Sequence, residues 1–503
     1  MAYKHGTYGE LTASKVKGTA SADTVVVYVG TAPVNLVRGV ETSELVNKPI
    51  KILNMIDAQG KVGYSNDWNA FSLCEALAQH FDNTIGNVGP IYFINVLDPT
   101  RHRKETVTTV SVAFNAGRGE FISDKIILDT IAIADKVEGV DFEVSYNYNS
   151  SKVVITSLNN NDRLTGNITV SFREVNPTAV TTADIIGQKT ATGVYSGLAA
   201  IDLLYQKENV VANVVAAPGW SDIPAVYTAM VSAANKINGH WDALVVADIP
   251  LVKVVTATGN EGETVEVPVD TIAKAIEWKA ENGYTSEFSK VCWPMVTDGS
   301  GRKFHLSTVT AATMQRVDSE HGGVPFESPS NKQIMATGQF FGASSPNMGY
   351  DQSTANGLNE KGITTAVYWG GQWVLWGAHT AAFIYNGNMD ARAIFDASIR
   401  MLMHITNGFQ LRNGTRIDAP MGISERDAIV NSEQEILDSY AGMGALLGQP
   451  SVLFVESENP QTNLVNGDFV WNISATPTPP FKSGTARVTY TDDGFEAYYG
   501  GEE

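Results

Sequence analysis

His240, His305, His321 and His379, with Asp242 and Asp298 as carboxylate partners, are the residues of this chain whose types suit nucleophilic hydrolysis. That chemistry asks for a serine exposed on a tight turn, an imidazole to take its proton and a carboxylate to orient the imidazole. The serine is the missing member, since no Gly-x-Ser-x-Gly occurs and no other serine stands in a nucleophile context. Phosphate chemistry fares no better. There is no Gly-rich P-loop, and Asp298-Gly-Ser-Gly-Arg302 lacks the third glycine of a dinucleotide fingerprint and reads as a turn. No His-Glu-x-x-His or EF-hand pattern supplies metal ligands, and the two cysteines, Cys74 and Cys292, stand far apart as candidates for buried apolar positions.

Composition points away from other classes. The 503 residues carry a formal net charge of -19, and phosphate neutralisation needs clustered Lys and Arg, so direct nucleic-acid binding is not expected. No apolar run approaches the roughly 18 residues needed to cross a bilayer, so no membrane insertion is expected, and Lys4, His5, Glu10, Lys15 and Lys17 break up any secretion signal. Charged residues make up 18% of the chain, which suits a surface largely covered by other subunits. The length allows about three domains.

The elements that would position these residues alternate. Thr24-Val-Val-Val-Tyr-Val29, Pro49 to Leu53 and Ile91 to Val96 read as strands, with a helix after Asp67 as its N-cap. Helices near 197–208, 223–237 and 269–280 then alternate with the apolar runs 210–217, 243–247 and 291–293. Strand and helix in succession imply a mostly parallel sheet covered on both faces. Between 99 and 193 the texture changes to alternating segments (Thr106 to Phe114, Asp141 to Tyr146, Lys152 to Thr156, Asn167 to Phe172), the signature of an all-β insertion on the surface. The last third has the run Tyr368-Trp-Gly-Gly-Gln-Trp-Val-Leu-Trp376, a helix near 389–408 and a second near 424–445. Expected strands follow at 451–455, 468–473 and 486–491, the last two separated by Thr476-Pro-Thr-Pro-Pro480.

In order along the chain, several of these features resemble the contractile tail sheath family of phages, R-type bacteriocins and related injection systems. They are the opening Tyr3-Lys-His-Gly-Thr-Tyr8, Val25-Val-Val-Tyr-Val-Gly-Thr-Ala-Pro33, Ile91-Tyr-Phe-Ile-Asn-Val-Leu-Asp98, Trp373-Val-Leu-Trp-Gly377 before the helix holding Ile399-Arg-Met-Leu402, and the C-terminal succession of strand, Pro-rich crossing and strand. The resemblance implies a multidomain α/β plus α+β chain with a split N- and C-terminal core domain and extended arms. Residues 1–20 would be the N-terminal arm, 21–98 with 194–349 a subtilisin-like but non-catalytic α/β domain, and 99–193 the outer β insertion. Residues 350–483 would form the core facing the tube, and 484–503 the C-terminal arm. It further implies a structural subunit without cofactor or metal, part of a virion tail assembled in the host cytoplasm, which polymerises around a tail tube. Its partners would be itself, the tail tube protein, and baseplate and tail terminator proteins, and contraction would drive the tube through a cell envelope for genome ejection. A headless bacteriocin-like particle is the nearest alternative, and a virion adhesin or capsid protein the alternative from another class.

Two sets of residues carry these expectations further. The N-terminal arm holds Lys4, Lys15 and Lys17 against Glu10, a formal +2, while residues 484–503 hold Arg487 against Asp492, Asp493, Glu496, Glu502 and Glu503, a formal -4. Opposite signs suit arms that meet across a subunit boundary, with Tyr3, Tyr8, Val488, Tyr490 and Phe495 as the accompanying apolar and aromatic contacts, although solvated termini would show the same charges. In the long helix, Arg392, Asp396, Arg400 and His404 fall at i, i+4 spacing opposite the apolar line Phe395, Ile399, Leu402 and Phe409. That spacing is expected of an ordinary solvated face, or of one that contacts the tube loosely enough to release it.

Overall fold

The computed structural model describes residues 20–39, 41–159, 162–256, 264–342 and 349–499. Helices of eight or more residues are numbered. The chain begins with β1 (Ala20–Gly30), β2 (Pro49–Ile52), α1 (Leu73–Phe81) and β3 (Val88–Asn95). The next six strands are β4 (Thr108–Asn115), β5 (Arg118–Ile122), β6 (Ala132–Ile133), β7 (Phe142–Asn147), β8 (Lys152–Ser157) and β9 (Gly166–Phe172). They form a six-stranded antiparallel sheet of their own, in the order β6-β9-β4-β5-β8-β7. The chain then returns through β10 (Val214–Ala216), α2 (Pro224–Ala233), β11 (Leu244–Asp248), the hairpin β12 (Val252–Thr256) and β13 (Thr264–Pro268), α3 (Ile272–Glu281) and β14 (Ser289–Cys292). The short β15 (Met295–Thr297), β16 (Lys303–Phe304) and β17 (Gly338–Phe340) pair antiparallel around α4 (Leu306–Glu320). After α5 (Gln352–Asn359) come β18 (Ile363–Trp369) and β19 (Gln372–Trp376), then α6 (Asp396–Asn413), α7 (Ile423–Gly442), β20 (Leu446–Leu453) and β21 (Asn472–Pro477).

The principal sheet has eight strands in the order β19-β18-β14-β11-β10-β1-β3-β2, parallel except at its edges, where β2 and β19 run antiparallel to their neighbours. Its central strands are unbroken apolar runs because both faces are covered: Val25 to Val29, Val214 to Ala216 and Leu244 to Ala247 are all buried. The β insertion shows the other pattern, with alternate residues inward, so that Val112, Phe114, Phe142, Val144, Val153 and Phe172 make a separate core. One residue of the α/β body, Leu36, joins that core. Tyr148 Oη donates to the carbonyls of Leu36 and Gln59, Asn35 Nδ2 donates to those of Asp124 and Ile126, and Arg38 pairs with Asp129 and Glu138. The insertion is therefore fastened at its root by directional bonds.

Several sequence expectations shift. The run 368–376, assigned to the C-terminal domain, is the edge hairpin β18–β19 of the α/β sheet, because β18 pairs in parallel with β14 at Val291↔Ile363. The helix expected after Asp67 begins at Leu73; Asp67 Oδ1 instead accepts from Ala70 N in the turn before it. The helix expected from 197 is a 3-10 run over 197–203 before its α turn at 204–208. The long helix starts at Asp396, since Asp390 caps a separate 3-10 turn and Phe395 is extended. The C-terminal strands lie at 446–453 and 472–477, and residues 486–491 form no strand within the chain.

Two glycines in the β18–β19 region separate backbone strain from steric conflict. Gly362 has φ +65°, and a Cβ there would stand 2.5 Å from the Thr380 carbonyl oxygen; Gly370, at the hairpin tip with φ +60°, would meet nothing within 4 Å. Gly370→Ala is expected to cost about 1 kcal/mol from conformation alone. Gly362→Ala should cost about 3 kcal/mol, because conformation and contact add. Urea unfolding of the two variants checks the difference; equal losses would remove the packing argument.

Candidate functional site

In an open α/β sheet the place for chemistry is the crevice at the carboxyl ends of the parallel strands. Here that crevice is filled by charge. His305, immediately before α4, donates from Nδ1 to Glu75 Oε2 at 2.7 Å and from its backbone N–H to Glu75 Oε1 at 2.6 Å. Asp248, the last residue of β11, caps α4: Ser307 N–H donates to its Oδ1 at 2.9 Å, and the hydroxyls of Ser307 and Ser221 donate to Oδ2. Burial pushes the Asp248 carboxyl up to about 6, against the pull of His305, and raises Asp222 beside it as well. Burial alone would lower His305, but the Glu75 carboxylate, with Asp248 and Asp222 behind it, carries the imidazole up to about 10.

An imidazole held protonated at neutral pH cannot take a proton from a nucleophile. The carboxylates suggested by sequence are also engaged elsewhere: Asp242 pairs with Lys236, and Asp298 with Arg302. His321 pairs with Glu327, His379 stacks between Phe383 and Phe395, and His240 packs on Trp241. Glu75, the true partner of His305, is 230 residues away in sequence, and nothing in its local context marks it.

The second candidate lies at the other end of the chain. β20 and β21 form a two-stranded antiparallel sheet that pairs with no further strand among the described residues. Its register runs Leu446↔Pro477 and Leu447↔Thr476, then resumes at Ser451↔Ser474, so that 448–450 bulge out. Between this sheet and α6 lies a groove of about 700 Å³ lined by Leu402, Ile405, Phe409, Leu447, Trp471 and Ile473. Leu402 and Phe409, on the apolar line expected of the helix, are half-buried and form the wall of this groove, while Ile399, Met401, Met403 and Ile405 are its large buried apolar residues. Trp471, which sequence read only as a strand position, forms part of the wall.

Beyond Thr478, whose N–H and hydroxyl bond the carbonyls of Ala445 and Gly444, the chain leaves the body. Residues 481–499 are exposed throughout, with Val488 94% and Tyr490 79% accessible. Arg487, Asp492, Asp493 and Phe495 lie in this tail, the last two in a 3-10 segment over 493–499. Tyr3, Lys4, Tyr8, Lys15 and Lys17 lie outside the described residues.

The charged stripe does not form a face. Asp396 is fully buried beside Lys290, with Nζ 2.6 Å from Oδ2, and Arg400, 3% exposed, makes a bidentate pair with buried Asp318. His404 is half-buried against the Tyr440 hydroxyl, and burial lowers its imidazole to about 4. Only Arg392 is exposed, paired with Glu287 and Asp390 before the helix begins. The expected tube-contacting face at Arg392, Asp396, Arg400 and His404 therefore loses Asp396 and Arg400, whose side chains are buried within the chain. For Asp396 and Arg400 the spacing reflects burial against the α/β body.

No family model matches the chain. Its sequence is 26% identical, over 97% of this chain and 96% of the other, to the tail sheath protein of Burkholderia phage BcepMu. In structure it is similar to a chain of the anti-feeding prophage baseplate, six-fold symmetrised, with a TM-score of 0.54 and 14% identity over 98% of this chain and all of that one. It is also similar to a chain of the PVC sheath complex, an extracellular contractile injection system in its contracted state, with a TM-score of 0.51 and 12% identity over 98% and 99%. The two structures share its fold. The sequence likeness bears out the resemblance to tail sheath proteins along almost the whole chain.

The crevice makes stability pH-dependent. Both shifts are upward, so each group contributes stability that is complete below its ordinary value and lost as pH rises through its folded value. The windows run from 3.8 to about 6 for Asp248 and from 6.5 to about 10 for His305. Urea unfolding at a series of pH values should show Asp248→Asn flattening the acidic window and His305→Gln the alkaline one. Unchanged slopes in both variants would contradict the assignment.

Proposed function

We propose that this chain, whose likeness to a tail sheath protein covers 97% of its length, is a structural subunit of a contractile tail sheath. It polymerises as a helical sleeve around a tail tube, and contraction of the sleeve drives the tube through a target envelope. The single observation that carries this reading is the 26% identity to a phage tail sheath protein over 97% of the chain. Because that relative comes from a phage, the reading favours a virion tail, assembled in the host cytoplasm and used in genome ejection, over a headless particle. Its partners are other copies, the tail tube protein, and baseplate and tail terminator proteins. The role is mechanical and needs no cofactor.

An unpaired two-stranded sheet and an extended tail in one chain support a linkage by strand addition. Main-chain ladders tolerate sliding and turning of the bodies they connect. In this reading Arg487, Val488, Tyr490, Asp492, Asp493 and Phe495 of one subunit meet a neighbour's sheet, together with Tyr3, Lys4, Tyr8, Lys15 and Lys17 of a third chain segment. The opposite formal charges of the two arms discourage pairing of like with like. The domain holding β20 and β21 faces the tube, and the β insertion faces outward.

Negative-stain electron microscopy of the purified chain is the direct test: hollow tubes or stacked rings are expected, and monodisperse particles unchanged on concentration would overturn the reading. Deleting 484–503 should leave monomer stability within about 0.5 kcal/mol, because the described part of that segment is wholly exposed, while abolishing tubes. Tubes of normal length from the truncated chain would reject the arm linkage and leave the sheath reading standing.

A further inference from the structure

We infer that the polar contacts of α6 are an axial register lock, which permits only one position of the C-terminal sheet on the α/β body. Three contacts lie along the face of α6 that meets the body. Asp396 stands beside Lys290 of β14, with both side chains at 0% exposure; the ammonium also donates to the carbonyl oxygens of Gly377 at 2.7 Å and His379 at 3.3 Å. One turn on, Arg400 grips Asp318 of α4, which also accepts the Thr24 hydroxyl of β1 at 2.7 Å. Near the end of the helix, Asn407 brackets the backbone of Asp242: its Nδ2 donates to the carbonyl at 2.8 Å and its Oδ1 accepts the N–H at 3.1 Å.

The order of charges is what makes the arrangement a lock. The helix presents acid then base, and the body presents base then acid. Sliding α6 by one turn, about 5.4 Å, would in one direction bring Arg400 to Lys290 and in the other bring Asp396 to Asp318. Either places like charges together without water, where such contacts are strongly unfavourable. An apolar seam has no such discrimination, because Ile399 and Met403, which pack into the main core from the same helix, can exchange places with little penalty. Setting helix register is a role for which buried polar groups are well suited. The lock makes the α/β body and the β20–β21 sheet move together, whatever the polymer does.

The test is to keep the attraction and remove the order. In Asp318→Arg/Arg400→Asp both helix positions carry a carboxylate and both body positions a cation, so the native and slid positions are each attractive. Hydrogen exchange of the full chain should then show α6 amides exchanging at least tenfold faster than in the parent, with protection of β10 and β11 unchanged. Parent-like protection of α6 in the folded swap variant overturns the lock. Should the swap not fold, Asp318→Leu/Arg400→Met removes one contact and leaves a foldable apolar seam. The lock again requires at least tenfold faster exchange confined to α6 and the elements beyond it. Unchanged exchange would show that the pair does not set register, and failure of this variant to fold as well would show that it serves folding; either overturns the inference.

Discussion

One helix belongs to two cores, and the C-terminal third of the chain depends on it. Ile399 and Met403 of α6 pack into the core of the α/β body, while Met401 and Ile405, on the other side of the same turns, pack with Leu437, Leu446 and Val452 beneath the two-stranded sheet. Burying two sides of a helix leaves little of its circumference for solvent, so its charged residues must be satisfied inside. Asp396 forms an ion pair with Lys290 of the body, Arg400 and Asn407 are satisfied by groups of the body, and Arg412, nearer the free end, by Glu433 of α7 at 2.5 Å. The helix thus passes from one domain's polar partners to the other's along its length.

The crevice at the ends of β10 and β11 follows a similar logic. A doubly covered parallel sheet leaves its strand ends as the natural site for ligands, yet here Asp248 caps α4 and Glu75 grips His305. Each carboxylate bonds a backbone N–H of the segment 305–307, so the charges brace the start of a 15-residue helix against α1 and β11. A site arranged to keep its imidazole charged is suited to holding elements together.

How much of this was legible follows from what each signal measures. Runs such as Val25 to Val29 and Leu244 to Ala247 announce a parallel sheet because only burial on both faces permits them. The alternation in 108–172 likewise separates the insertion, as one face of that sheet is wet. Periodicity does not say which sheet a strand joins, and the run Tyr368 to Trp376, expected with the C-terminal domain, pairs into the principal sheet. Charge spacing does not report burial either: Arg392, Asp396, Arg400 and His404 have the pattern of a solvated face, but Lys290 and Asp318, which bury two of them, come from strands and helices about 80 to 110 residues away. The strand signal at 486–491 rests on alternation alone, and a strand also needs a neighbour, which no described residue provides.

That missing neighbour sets the energetics of the proposed linkage. Burying Val488 and Tyr490 would each contribute about 2 kcal/mol, and pairing with an open sheet edge would add main-chain bonds of about 1 kcal/mol each. Against this stands the ordering of the six residues 486–491 that would pair, at about 1 to 2 kcal/mol each. The terms nearly cancel, so a single junction is weak and its strength depends on register and charge. Weak junctions suit a polymer that must assemble one subunit at a time and later rearrange. With body and sheet locked through α6, the rearrangement falls to the segments outside that lock, the extended tail foremost, because residues 481–491 are exposed and have no backbone partner among the described residues.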